Sequence, residues 1–196
     1  FQILILILSV VVHEVSHGFA ANYLGDPTAR LQGRLTLNPL PHIDPIGSVL
    51  VPLLLFFTNA GVMFGWARPV PVNPYNLRGK YGEAIVAAAG PFSNIALAVF
   101  FGLLVRFGGA LPDSFLHIAR LAVIINIVLA IFNLVPIPPL DGSKILFAFL
   151  PYHLAQVRES LERWGFFITL FFIVFLWQFL TPVIGGAFRL LTGIAF

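Results

Sequence analysis

The stretch FQILILILSVVVHEVSHGFAANYL, residues 1–24, decides how this chain must be read. From Phe1 to Val12 it is almost unbroken apolar sequence. The run continues with interruptions to Leu24, where Gly25, Asp26 and Pro27 stop a helix. About 24 residues make roughly 36 Å of helix, enough to cross a bilayer. His13, Glu14 and His17 lie inside this span, roughly 13 Å from its Leu24 end. Ionisable side chains at such depth are costly and are usually functional.

The composition agrees with a membrane setting. Of 196 residues, 59% are hydrophobic and only 10% are charged, against about a quarter charged in an ordinary soluble domain. Too little polar surface exists to coat a water-soluble globule. The net charge of +3 is small and scattered, which excludes a nucleic-acid patch. Cysteine is absent, so disulfides and cysteine-ligated metals are excluded. Phe1 already sits inside an apolar run, and the natural N-terminus is expected to lie further upstream.

Further along, residues 25–45 are polar and turn-rich, and Arg30 to Leu37 alternates with period two, predicting a short strand or hairpin arm. Gly47 to Phe64 is a second apolar run, interrupted by Pro52, Asn59 and Gly61, that can span or re-enter. Arg68-Pro69-Val70-Pro71-Val72 reads as extended, with prolines that demand an edge position in any sheet. Glu83–Phe107 and Phe115–Val135 are further apolar segments, the latter breaking at Pro136-Ile137-Pro138-Pro139-Leu140-Asp141-Gly142. Ser143–Leu150 is a short apolar piece, 151–163 is polar, and Trp164–Thr181 is a last clear span, with a Phe-rich run 166–179 facing lipid or packing. Residues 182–196 read as an interfacial or incomplete helix. The expected fold is an all-α polytopic membrane protein with about five to six transmembrane or re-entrant helices and a small membrane-associated β element.

Placing loops 25–45, 65–82 and 143–163 on one side collects 8 of the 11 basic residues there. The excess of Lys and Arg predicts that this side is cytoplasmic, with the histidine pair nearer to it.

His13-Glu14-Val15-Ser16-His17 matches H-E-x-x-H. On a helix, positions four apart share a face, so both imidazoles can reach one ion, and Glu14 beside the first can take a proton from activated water. With 5 His and 4 Glu in the chain, chance gives about 0.003 occurrences of the pattern, which disfavours coincidence. A catalytic zinc site needs a third protein ligand and one open position. Asp141, at a break in a membrane segment, is the best candidate. An ordinary role as N-cap of the helix that follows is compatible with ligation. Asn94 with Gly90 and Ser93 reads as small-residue helix packing. His42 and Asp44, two apart in a Pro-rich loop, read as a hydrogen-bond network rather than a second metal site. His117 and His153 carry no assignment.

These motifs together resemble the site-2 protease family of intramembrane metalloproteases, in its compact prokaryotic form without an evident PDZ or CBS domain. The resemblance rests on HEVSH in a membrane helix, on Asn133-Leu134-Val135-Pro136 and Pro139-Leu140-Asp141-Gly142, on Ala89-Gly90-Pro91-Phe92-Ser93-Asn94, and on Gly33-Arg34-Leu35-Thr36-Leu37-Asn38-Pro39 followed by His42, Asp44 and Pro45. It implies one catalytic zinc ion held by His13, His17 and Asp141, Glu14 as the catalytic acid/base, and Asn133 as a group that helps hold substrate or the oxyanion. An interhelical hydrogen bond is the alternative for Asn133. The resemblance also implies a single protease domain over 1–196, with a catalytic core over about 1–150 and C-terminal membrane helices over about 151–196. The expected protein is integral to a prokaryotic cell membrane, its substrates are membrane proteins with a transmembrane segment, and nucleic acid is not a partner. An unwound substrate could pair with the edge of 30–37 or 68–72. A membrane metal-ion transporter and an inactive scaffold are the rivals. Transport requires several ligands along a path, and the sequence offers few other acids at membrane depth.

Overall fold

A computed structural model describes residues 1–58, 65–151 and 154–195. His153 and the end of the second apolar run, 59–64, lie outside the described residues. The described elements are helical: α1 (Gln2–Tyr23), α2 (Thr28–Leu31), a π-turn at Pro45–Leu50 leading into α3 (Val51–Phe57), α4 (Gly82–Phe107), α5 (Asp113–Leu134), α6 (Asp141–Phe149), α7 (Ala155–Phe171) and α8 (Thr181–Thr192). Four helical stretches are long and apolar enough to cross a membrane: α1, α4, α5 and the continuous Ala155–Thr192 helix that contains α7 and α8. The chain is an all-α integral membrane protein, with four such spans among the described residues and a shorter apolar helix at Pro45–Leu55.

In lipid, apolar surface alone does not drive helices together, so close approach through small residues must. The buried faces accordingly carry Ala84, Ala87, Ala98, Ala119, Ala122 and Ala130. A compact core of Ala98, Val123, Ile127, Ile184 and Phe188 joins α4, α5 and α8. Residues 181–192 are therefore part of the core, and the interfacial reading of that segment is corrected. A π-turn at Phe172–Leu176 and a 3-10 turn at Trp177–Leu180 link α7 to this packed end. Phe166, Phe167, Phe171, Phe175 and Phe179 are exposed, as a lipid-facing surface requires.

No strand occurs among the described residues, so the expected β element is corrected as well. Its first arm begins as helix α2, and Leu31 and Leu37 are exposed while Arg34 is buried, the reverse of a core-facing apolar row. Residues 65–73 are extended, but their polar groups are used by other partners. Trp66 donates its amide to Gly47 at 3.1 Å and accepts from Ser48 Oγ at 2.8 Å. Arg68 donates to the His42 carbonyl at 2.9 Å, and its own carbonyl accepts from Arg34 Nη2 at 2.9 Å. Side chains and one turn thus occupy the edge at residues 66, 68 and 70 that a ladder at 30–37 would need.

Asp26 fastens the end of α1 to this region. Its buried carboxylate accepts from the Thr28 amide and hydroxyl, from Asn76 Nδ2 at 2.9 Å and from the Asn73 amide at 2.7 Å. Burial pushes this carboxyl up, but the donors on Thr28, Asn76 and Asn73 outweigh it and hold it below the usual carboxylate range. The Arg78 amide donates to the Leu24 carbonyl at 2.8 Å, which brings the start of α4 beside the end of α1. At the opposite side, Arg106 Nη1 donates to the Leu190 carbonyl at 2.8 Å.

Candidate metal and catalytic centre

α1 turns His13 and His17 towards α4, and the Pro-rich turn after α5 brings Asp141 to meet them. His13 Nε2 and His17 Nε2 are 3.1 Å apart. Asp141 Oδ2 lies 3.1 Å from the first and 3.2 Å from the second. All three residues are buried, and among the described residues they form the one group of His, Cys, Asp or Glu able to hold a metal ion. Asp141 is the first residue of α6 and its carboxylate does not cap the helix, so the N-cap alternative is set aside. Its negative charge still favours the helix N-terminus.

The outer nitrogens fix the proton positions. His17 Nδ1 lies 2.7 Å from the Val86 carbonyl, which can only accept, so that nitrogen carries the hydrogen. His13 Nδ1 lies 2.6 Å from Asn94 Oδ1 and donates to it. Both Nε2 lone pairs then point at the Asp141 oxygen, which has no hydrogen-bond donor of its own. Three acceptors so close together repel one another unless a cation lies among them. Two imidazoles and a carboxylate are a zinc donor set, and a tetrahedral ion with bonds near 2.0–2.1 Å spaces its ligands about 3.4 Å apart. The residues fit a divalent metal with a fourth position free.

α4 makes room for this arrangement. At Gly90 a side chain is impossible: a Cβ would collide with His17 Nε2 and lie 2.6 Å from Cε1 of both histidines. Asn94, read from the sequence as packing, is completely buried and serves as a hydrogen-bond acceptor behind His13. The signal for this was available, because an amide at membrane depth needs partners.

Glu14 and His13 line an open cleft of about 580 Å³ with Trp66, Pro69, Asn133 and Phe166. The Val70 amide donates to Glu14 Oε2 at 2.9 Å. Val70 stands between two prolines, so its N–H is the sole main-chain donor of 69–71. Buried Arg34 closes the same corner, with Nη2 donating to the Arg68 carbonyl at 2.9 Å and the Pro69 carbonyl at 3.2 Å. Burial and neighbouring Arg68 push its guanidinium below the ordinary value, while the attraction of Glu14 opposes them. Asn133 reaches the cleft, but its Nδ2 donates to the Leu129 carbonyl of its own helix at 2.9 Å.

His42 and Asp44 form a loop network, as expected. His42 Nε2 donates to the Thr36 carbonyl at 3.0 Å, and Asp44 Oδ1 accepts from the amides of Ile46 and Gly47 at 3.0 and 2.6 Å.

Comparison with known proteins agrees with this geometry. The profile of peptidase family M50 matches residues 105–176. The chain is 38% identical over 197 residues to "Putative zinc metalloprotease YwhC" of Bacillus subtilis, covering 93% of this chain and 81% of that protein. It is 30% identical over 169 residues to "Putative zinc metalloprotease Rip2" of Mycolicibacterium smegmatis, covering 86% of this chain and 64% of that one. Over 63 residues it is 49% identical to "Putative zinc metalloprotease MJ0611" of Methanocaldococcus jannaschii, 31% of each chain. No solved structure matches. The family profile and the extent of the first match together establish that the chain belongs to peptidase family M50, the site-2 protease family of metalloproteases.

Proposed function

We propose that this protein is a single-domain intramembrane zinc endopeptidase that hydrolyses peptide bonds within or near transmembrane segments of other membrane proteins. The observation that carries the reading is the convergence of His13 Nε2, His17 Nε2 and Asp141 Oδ2 within 3.2 Å, with both histidines on a membrane-spanning helix and Glu14 beside them in an open cleft. His13, His17 and Asp141 hold the ion. Bound there, zinc would polarise the scissile carbonyl and make water acidic enough to deprotonate near neutral pH. Glu14 takes the water proton and later delivers it to the leaving amine. The Val70 amide holds one oxygen of Glu14, which limits the carboxylate's rotation. Asn133 turns its amide from Leu129 towards substrate or the oxyanion. Leu129, Phe132, Leu140 and Leu170 line the cleft and suit an apolar substrate segment. The basic loops support a centre nearer the cytoplasmic face of a prokaryotic membrane.

The test is cleavage of a single-span substrate in liposomes by wild type and Glu14→Gln, with bound zinc measured in both. Loss of at least about a hundredfold in cleavage with zinc retained is the expected result. Equal cleavage by both proteins would overturn Glu14 as the base. Zinc bound by wild type with ion flux and no cleavage would favour transport instead.

A further inference from the structure

Behind His13 the polar contacts continue for two more residues. Asn94, on α4, donates from Nδ2 to Asn126 Oδ1 at 2.9 Å and to the Ser9 carbonyl at 3.4 Å. Asn126, on α5, donates from Nδ2 to the Ala122 carbonyl and to Ser9 Oγ, both at 2.9 Å. Both asparagines are completely buried. Three membrane helices thus meet through two amides beside the centre.

The direction of this chain is fixed at its far end. The Ala122 carbonyl can only accept, so it must face Asn126 Nδ2. Oδ1 of Asn126 must then face Asn94 and can receive only a donor, which orients Asn94 with Nδ2 outward and Oδ1 towards His13. An oxygen at that place requires the hydrogen of His13 to sit on Nδ1. Reversing Asn126 would set oxygen against the Ala122 oxygen and nitrogen against Asn94 Nδ2, two mismatches in a dry interior. We infer that Asn126 is a positioning residue which, through Asn94, selects the His13 tautomer that presents its Nε2 lone pair to the metal. The inference rests on the metal-binding reading of His13, and it assigns to Asn126 more than holding helices together.

The test uses the full-length protein in detergent and reads zinc affinity by chelator competition, with 15N spectra of the histidine-labelled, metal-free form. Asn126→Leu removes both the acceptor and the donor at similar size. It is expected to weaken zinc binding roughly tenfold or more, the lower end of what outer partners of metal ligands contribute. Asn126→Asp, as the neutral acid, can hold an oxygen towards Asn94 and its hydrogen towards the Ala122 carbonyl, and should bind zinc within about threefold of wild type. Metal-free wild type should show His13 protonated on Nδ1. A residue that only glues helices would lower thermal stability in Asn126→Leu and leave zinc affinity alone, and that result overturns the inference. Equal loss in both variants overturns it too, because packing volume rather than polarity would then matter. Should Asn126→Leu fail to fold, the wild-type tautomer and the Asn126→Asp affinity decide: Nε2 protonation, or a tenfold loss with aspartate, refutes it. Wild type that binds no zinc would refute the metal reading itself, a separately visible failure.

Discussion

Gly90 shows how little freedom the centre leaves to its neighbours. A methyl group there must displace both imidazoles, since its carbon would lie in contact with each ring. Gly90→Ala is therefore expected to lose stoichiometric zinc while the helices still form, to be checked by metal analysis alongside circular dichroism. The residues that touch the ion site were legible in the sequence, because H-E-x-x-H needs only a helical period to become geometry. Asp141 was legible from its place at a broken membrane segment. The partners behind them were not, because hydrogen bonds between residues 81 or 117 positions apart leave no local pattern. Asn126 stands among apolar neighbours and, like Asn133 seven residues on, is an amide that has to be satisfied there.

Among the elements, α1, α4 and α5 were readable to within a few residues, since lipid demands unbroken apolar runs, whereas the span expected at Trp164–Thr181 extends over Ala155–Thr192. The element that misled was Arg30–Leu37, where alternation suggested a strand. Alternation identifies a strand only when one face meets a core and the other meets water, and a membrane protein exposes leucine to lipid as readily as it buries it. Asp26, just before that segment, makes a pH-dependent contribution. Its folded carboxyl sits below the usual range, so the folded state holds this proton less tightly than the unfolded chain. The stabilisation is complete above an unfolded carboxyl pKa of about 4 and is lost as pH falls through the lower folded value. Thermal unfolding in detergent should show wild type weakening below about pH 4, with Asp26→Asn less dependent on pH there and about 1–3 kcal/mol less stable at neutrality. α7 offers a different handle. Thr169 Oγ donates to the Pro138 carbonyl at 2.9 Å, and Gly165 packs directly on Pro138, in the turn that carries Asp141. Gly165→Leu should push α7 off that turn and cut cleavage more than tenfold, whereas Thr169→Val, losing about 0.6 kcal/mol, should cost little. Equal activity of Gly165→Leu and wild type in the liposome assay would show that this contact does not hold the cleft in shape.

For the whole molecule, the arrangement of helix ends predicts which loops share a side. The chain has no cysteine, so single introduced thiols can be labelled without background. Lys80→Cys and Arg158→Cys should react with a membrane-impermeant maleimide only from the cytoplasmic side, and Gly109→Cys only from the other. Labelling of Lys80→Cys and Gly109→Cys from the same side would contradict the arrangement of α4 as a span. The basic loops are what the sequence offers for this topology, but it did not reveal that 181–192 packs in the core, because a segment that packs on α4 and α5 has the same composition as one facing lipid.

The charged groups around the centre are not shared evenly. Glu14 has the Arg34 guanidinium at its corner, whereas Asp141 faces the two imidazoles. A divalent ion beside Asp141 would offset that carboxylate, and offset charge is what a low-dielectric surrounding tolerates. Its loss would leave the carboxylate facing two imidazole lone pairs. The described residues offer no second group of ligands to which an ion could move on. A metal held there would accordingly be a tenant whose departure the bilayer itself penalises.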